Sequence, residues 1–201
     1  SFSTRLMASF SRVIDPGISA QMAQCMPIEV LLKILKVNLS KSQHRHVAQI
    51  ASHLEPRKVA EMMQYMDPKD TAGIAEYCPL KMMQEVTPFL PPLLLSSICK
   101  HLSAPKIAQL VNDLPENQLR ECVSLMIDQG MGPKLGEVSD LLEFEELMLS
   151  IARLNDPRST AVITAHMTTF RKVARVTQAL KQEFLAEILR YLIGSKMVSP
   201  Q

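Results

Sequence analysis

The chain has no tryptophan, and aromatic residues of any kind make up only 4% of it. Its core cannot rest on ring stacking and must be built from Leu, Ile, Val, Met and Ala, which suits packed helices better than sheets. Alternating apolar and polar runs of the strand type are missing too. Only six glycines occur among 201 residues. That leaves little room for a phosphate-cradling loop, and no GxGxxG, GxxxxGK or GxSxG pattern is present. No apolar run reaches the roughly 18–20 residues that span a bilayer. The longest candidate, around Pro91-Pro92-Leu93-Leu94-Leu95, is short and opens on a proline pair. Charge of one sign is also lacking, since a net +2 provides no strong field for nucleic acid. The four cysteines, Cys25, Cys78, Cys99 and Cys122, are far apart with no CxxC. They read as reduced thiols of a cytoplasmic protein rather than a disulfide framework or a metal site.

What the sequence does have is methionine, with 13 residues, and a repeat. At a step of 12, one column reads Leu54, Met66, Cys78, Leu90, Leu102, Leu114 and Met126. Eight residues after the first six come Met62, Ile74, Val86, Ile98, Leu110 and Cys122, and five residues after them Val59, Thr71, Met83, Leu95, Ile107 and Leu119. The columns are apolar except at Thr71. Prolines mark the joints, at Pro56, Pro68, Pro79, Pro91 or Pro92, Pro105 and Pro115. Proline suits the first turn of a helix, where its missing N–H has no intrahelical partner anyway. Asp67 ahead of Pro68 reads as a cap, with Asp70 on the exposed amides, and Ser103 and Asp113 are similar candidates. Each unit then holds a helix of roughly 13 Å, too short to be stable alone. The expectation is an all-α superhelix, an α-solenoid of short helices paired as hairpins, with its hand left open.

Residues 1–50 are expected to cap the array, residues 51–130 to form it, and residues 131–201 to make a C-terminal helical segment. The N-terminal part reads as a short docking helix over 2–14, a segment from Ile18 to Met26, and an amphipathic helix after Pro27. Its stripe is Val30, Leu31, Ile34, Leu35 and Leu39. Ser40 or Ser42 is expected to cap the next helix. The start at Ser1 without methionine suggests a piece of a longer protein. The regular step ends at Met126, before the Gly130-Met131-Gly132-Pro133 stretch and Gly136. Ser139 to Leu154 reads as one helix with Leu141, Leu142, Leu147, Leu149 and Ile151 inward. From Arg158 to Ile193 no Gly or Pro occurs, which predicts one helix of about 50 Å, or two with a bend near Thr168-Thr169.

Residues able to carry chemistry are sparse. His44, His46 and His53 lack the further ligand that zinc needs. His101 and His166 stand alone, and no catalytic or cofactor-binding residue can be named, so a non-enzymatic protein is expected. The acids Glu137, Asp140 and Glu143, with Glu145 and Glu146 beside them, are the only candidates for a hard cation. Their plainer role is a solvated face near a helix N-terminus. The basic cluster Arg171, Lys172, Arg175 and Lys181 is a candidate partner-binding surface, or the intramolecular counterpart of those acids. Met62, Met63, Met66, Met82 and Met83 are mostly expected in the core, with some lining a groove for a partner helix.

The phrase Leu54-Glu55-Pro56-Arg57-Lys58-Val59-Ala60-Glu61-Met62-Met63, followed by Met66-Asp67-Pro68-Lys69-Asp70-Thr71-Ala72, resembles the cytosolic N-terminal domain of MgtE-type magnesium transporters. A related superhelix occurs in the middle part of the flagellar rotor protein FliG. The small residues Ala60, Ala72 and Ala108 belong to the resemblance, which covers about residues 50–126. It implies a helical superhelix and, in the transporters, a magnesium-responsive regulatory lid. This chain departs from the pattern, with no CBS-like strands or transmembrane segment following. From residue 54 to 126, nine acids face seven bases, which is no carboxylate cage. The expectation is therefore a protein-interaction or scaffold module without a cofactor. It would have a protein partner and a homodimer contact through the C-terminal helices. The alternative is a magnesium-responsive regulatory domain.

Overall fold

Short helices begin where the prolines and caps place them. In the computed structural model, which describes residues 2–40 and 42–197, the chain forms two compact units, Ser1–Leu102 and Ser103–Gln201. The first contains α1 (Phe2–Ser11), α2 (Pro16–Gln24), α3 (Ile28–Leu39), α4 (His44–Ala51), α5 (Pro56–Gln64), α6 (Pro68–Ala75), α7 (Leu80–Val86) with a 3-10 turn at Thr87–Phe89, and α8 (Pro92–Cys99). The second contains α9 (Ala104–Val111), α10 (Glu116–Asp128), α11 (Gly132–Leu141), α12 (Phe144–Leu154), α13 (Pro157–His166), α14 (Phe170–Ala179) and α15 (Gln182–Met197). No strand occurs among the described residues, and none of their helices is long and apolar enough to cross a membrane. Lys41 and the tail beyond Met197 lie outside the described residues.

The starts of α4 to α10, at His44, Pro56, Pro68, Leu80, Pro92, Ala104 and Glu116, fall 12 residues apart. Caps explain several of them. Asp67 accepts from the Lys69 amide at 2.8 Å, Ser103 from Lys106 at 3.4 Å, and Asp156 from Ser159 at 3.0 Å. Asp15 closes α2 in the same way. Two expected caps differ: α10 is entered through Pro115, and α4 through Gln43 rather than Ser40 or Ser42. Ser42 instead adopts a left-handed φ of 56°, which turns the chain between α3 and α4.

All three columns are buried from residue 71 onward, as an array of dependent short helices requires. Thr71 fits because its hydroxyl donates to the Asp67 carbonyl at 3.0 Å, one turn back, so no polar group is stranded. Only Leu54, Met62 and Met66, at the N-terminal end, are half-exposed.

Each helix packs chiefly on its second neighbour. In the first unit α2, α4, α6 and α8 form one row, while α1 packs on α3 and α5 on α7. In the second unit α9, α11, α13 and α15 form a row, and α10 packs on α12. Glycine permits two close approaches. A Cβ at Gly136 would lie 2.4 Å from the main-chain carbon and oxygen of His166, and one at Gly132 would lie 2.6 Å from the His166 ring.

The helical step continues past Met126, contrary to expectation. After a 16-residue step from α10, new helices begin at Gly132, Phe144, Pro157, Phe170 and Gln182, at 12 or 13 residues. The 13-residue steps and the buried polar residues Ser150 and Thr160 remove the strict apolar register while keeping the stacking. The stretch from Ser139 to Leu154 breaks at Leu142, whose extended backbone separates α11 from α12. Leu141 and Leu149 therefore face outward, about half exposed. The expected long helix from Arg158 to Ile193 is three helices. One break falls at Met167, just ahead of Thr168-Thr169, and the other at Leu180, and both residues are extended.

A recurrent device ties helices together. A cation three helices along the chain donates to carbonyls at a helix C-terminus, where backbone acceptors lack intrahelical partners. Lys58 of α5 donates to Gln24 at 2.6 Å and Met26 at 2.9 Å, at the end of α2. Arg153 of α12 donates to Val111, Asn112 and Leu114 after α9. Lys172 of α14 donates to Asp140 at 2.7 Å and Leu142 at 2.6 Å, at the end of α11.

Candidate functional site

An apolar concavity lies in the first unit, where the row of α1 and α3 fails to continue. α3 and α5 make at most slight contact, although second-neighbour packing is the rule elsewhere in this unit. The α3–α4 step of 16 residues, rather than 12, accompanies that gap. A groove of about 440 Å³ remains between α1, α2, α3, α4 and Met62 of α5. This volume is within the range of binding cavities. Its walls are apolar, with Leu6 and Phe10 from α1, Met22 from α2, Leu35 from α3 and Ile50 from α4 among them. Among the described residues, no charged side chain lines it. The column residues that escape full burial, Leu54 and Met62, sit in its wall.

The only polar residues of the lining are Ser11, Ser19 and Asn38. They gather at the C-terminal end of α1. The Ser11 carbonyl accepts from His46 Nε2 at 3.0 Å and from the Ser19 hydroxyl at 3.4 Å. The Ser11 hydroxyl donates to Ala8 at 3.1 Å, which leaves its oxygen to accept from Asn38 Nδ2 at 3.5 Å. In that pattern the Asn38 amide turns its nitrogen toward the Ser11 hydroxyl oxygen. Asn38 is only 3% exposed, and its Oδ1 has no hydrogen-bond partner. A buried acceptor in this condition is costly.

The groove opens onto an apolar rim. Leu6 is 58% exposed, Phe10 55% and Met22 44%, and the adjoining Val13 and Ile18 are exposed as well. Exposed apolar side chains grouped at a groove mark interaction surfaces.

The acids and bases singled out in the sequence meet in the second unit. Asp140 is a cap. Its carboxylate accepts from the Thr168 amide at 2.7 Å, the Thr168 hydroxyl at 2.8 Å and the Thr169 amide at 3.1 Å. Burial pushes the Asp140 carboxyl up, but the hydrogen bonds from Thr168 and Thr169 outweigh it and hold the group below its ordinary value. Glu143 starts α12, where the Glu146 carboxylate accepts from its amide at 3.0 Å, half of a capping box. Glu137 is exposed on α11. Among the described residues no three His, Cys, Asp or Glu side chains gather as a metal would require. Lys172 is committed to main-chain carbonyls, and the Arg175 guanidinium lies 3.7 Å over the Phe144 ring. Only Arg171 of the three candidate partner-binding cations is exposed without such a contact.

Sequence reasoning missed the groove and Asn38. A signal existed, because Asn38 continues the α3 stripe at the helical interval after Leu31 and Leu35. A polar residue at such a position has either a partner or a role. Of the methionines expected mostly in the core with some in a groove, Met62 lines it, whereas Met63, Met82 and Met83 are core.

Compared with known proteins, the chain matches no family model, no curated protein and no solved structure.

Proposed function

We propose that this chain is a non-enzymatic interaction module that seats a short helix of a partner protein in the groove bounded by α1 to α5. The observation that carries this reading is the uncharged apolar groove at a gap in second-neighbour stacking, continuous with the exposed Leu6, Phe10 and Met22. An amphipathic helix buries its apolar stripe in such a groove. Methionines in the wall, Met7, Met22, Met26 and Met62, adapt to varied side chains. The free cysteines, three of them buried, support placing the module in the cytoplasm.

The test is affinity purification from the native cell with two baits, the parent chain and Ala51→Phe, which fills the groove from the 9%-exposed Ala51. A partner recovered by the parent and lost with the variant supports the reading. An identical set of recovered proteins contradicts it.

The C-terminal helices offer a second surface. Leu189, Tyr191 and Ile193 of α15 are about half exposed, which supports a homodimer contact there. Sedimentation of the parent and of Leu189→Lys tests it, and a monomer at high concentration excludes it. The magnesium-responsive alternative rests on the resemblance of the repeat phrase to MgtE-type transporters. A site with a dissociation constant of about 0.1 mM adds roughly 1.4 kcal/mol at 1 mM magnesium. An unchanged melting temperature at 1 mM would remove that alternative.

A further inference from the structure

We infer that the helix received by the groove inserts a wholly uncharged face that carries one hydrogen-bond donor, a hydroxyl or an amide, for Asn38 Oδ1. This rests on the proposed function and specifies the partner's chemistry. Among the described residues no charged side chain of the groove can neutralise an inserted charge, and burying one unpaired is prohibitive. The hydroxyl and imidazole donors of the polar cluster are already used, and so is one of the two N–H groups of the Asn38 amide. The Ser11 hydroxyl serves Ala8, the Ser19 hydroxyl and His46 serve the Ser11 carbonyl, and Asn38 Nδ2 serves the Ser11 hydroxyl oxygen. The atom with no partner at all is an acceptor, Asn38 Oδ1, on a residue of the groove wall. Its terminal torsion is soft, so a small turn of the amide presents the oxygen to the groove. The group that completes Asn38 Oδ1 is therefore a donor.

A helix fits the surface better than a small apolar molecule. A molecule confined to about 440 Å³ leaves Val13 and Ile18, which lie outside the lining, uncovered at 81% and 51% exposure. A helix laid in the groove covers the cavity and its rim together. The helix would set apolar anchors at i, i+3 or i+4, and i+7, with Ser, Thr, Asn or Gln interposed where it faces Asn38.

The experiment is a selection from a display library of 14-residue peptides, using the full chain as target and discarding binders retained by Ala51→Phe. The tightest peptide is then measured against the parent and Asn38→Leu, with its central donor residue intact and replaced by Ala or Asp. The expected result is apolar anchors with one uncharged donor. Replacing the donor by Ala should cost about tenfold in affinity for the parent and less than twofold for Asn38→Leu, and Asp should abolish binding. Groove-dependent peptides whose affinity ignores both the donor and Asn38 overturn this inference and leave the proposed function standing. If no peptide depends on the groove, both fall. Saturable binding of tetradecanol, blocked by Ala51→Phe, would then assign the groove to a small apolar ligand.

Discussion

The Lys172 ammonium donates to the main-chain carbonyl of Asp140 at 2.7 Å, while the Asp140 carboxylate accepts from the Thr168 and Thr169 amides just ahead of the helix that carries Lys172. Each residue closes the other's helix. Acid and base segments that look like a salt-bridged pair in sequence are joined through backbone groups instead. A carboxylate fits exposed amides and an ammonium fits exposed carbonyls, so both helix dipoles are complemented.

Removal of the Asp140 carboxylate is therefore costly. Asp140→Ala should lower stability by about 1 kcal/mol, within the range of about 0.5–2 for lost caps, as measured by urea unfolding at pH 7. The pH dependence follows from a folded-state value held below the unfolded one. The contribution of Asp140 is complete above the unfolded value of about 4. It is lost as pH falls through the depressed folded value. Asp140→Asn should flatten the acid limb of the stability curve in that window. An unchanged acid limb would show that the cap is not formed.

Gly136 is tested by size alone. With the His166 main chain 2.4 Å from an added Cβ, Gly136→Ala must push two helices apart, at a cost of about 1–3 kcal/mol or more. Gly194 has open space around it, so Gly194→Ala should stabilise by about 0.4–1 kcal/mol. Thermal melts of the two variants should shift in opposite directions.

Asn38 should be a residue that the isolated protein is better without. Asn38→Leu removes a buried acceptor that has no partner and should raise stability by about 1 kcal/mol. A loss of similar size, seen by urea unfolding, would mean that the amide is satisfied in solution.

The columns carry the array. Ile98 is 2% exposed and Leu110 6%. Truncating Ile98 to Ala should cost about 2–5 kcal/mol, and Asp at either position should collapse the packing, since an unpaired charge cannot be buried there. A circular-dichroism melt like the parent's would contradict the repeat.

The repeat was legible because short helices cannot stand alone, so the same three faces must be apolar in every unit, and proline and aspartate mark each start. Asp67 and Ser103 act as read. The breaks at Leu142 and Leu180 were not legible because no Gly or Pro marks them. The extended backbone there is imposed by stacking on second neighbours, which overrides local propensity. Leu141 and Leu149 were misplaced for the same reason, since their faces depend on where one helix ends. The groove was invisible because it follows from the slightness of packing between α3 and α5, and weak packing leaves no periodicity. The acids at 137–146 were legible as helix-terminal charges, but Asp140's partners lie 28 and 29 residues away, beyond any local pattern.

The most direct test of the groove uses the methionines as reporters. With the Met methyl groups labelled by 13C, the partner segment recovered by affinity purification is titrated into the protein and followed by NMR. Met7, Met22, Met26 and Met62 line the groove, whereas Met63 and Met83 are buried in the array at 3% and 2% exposure. The predicted result is that the first four signals move and saturate together while the last two stay in place. If Met63 and Met83 shift and the groove methionines do not, the partner binds elsewhere and the central claim is wrong.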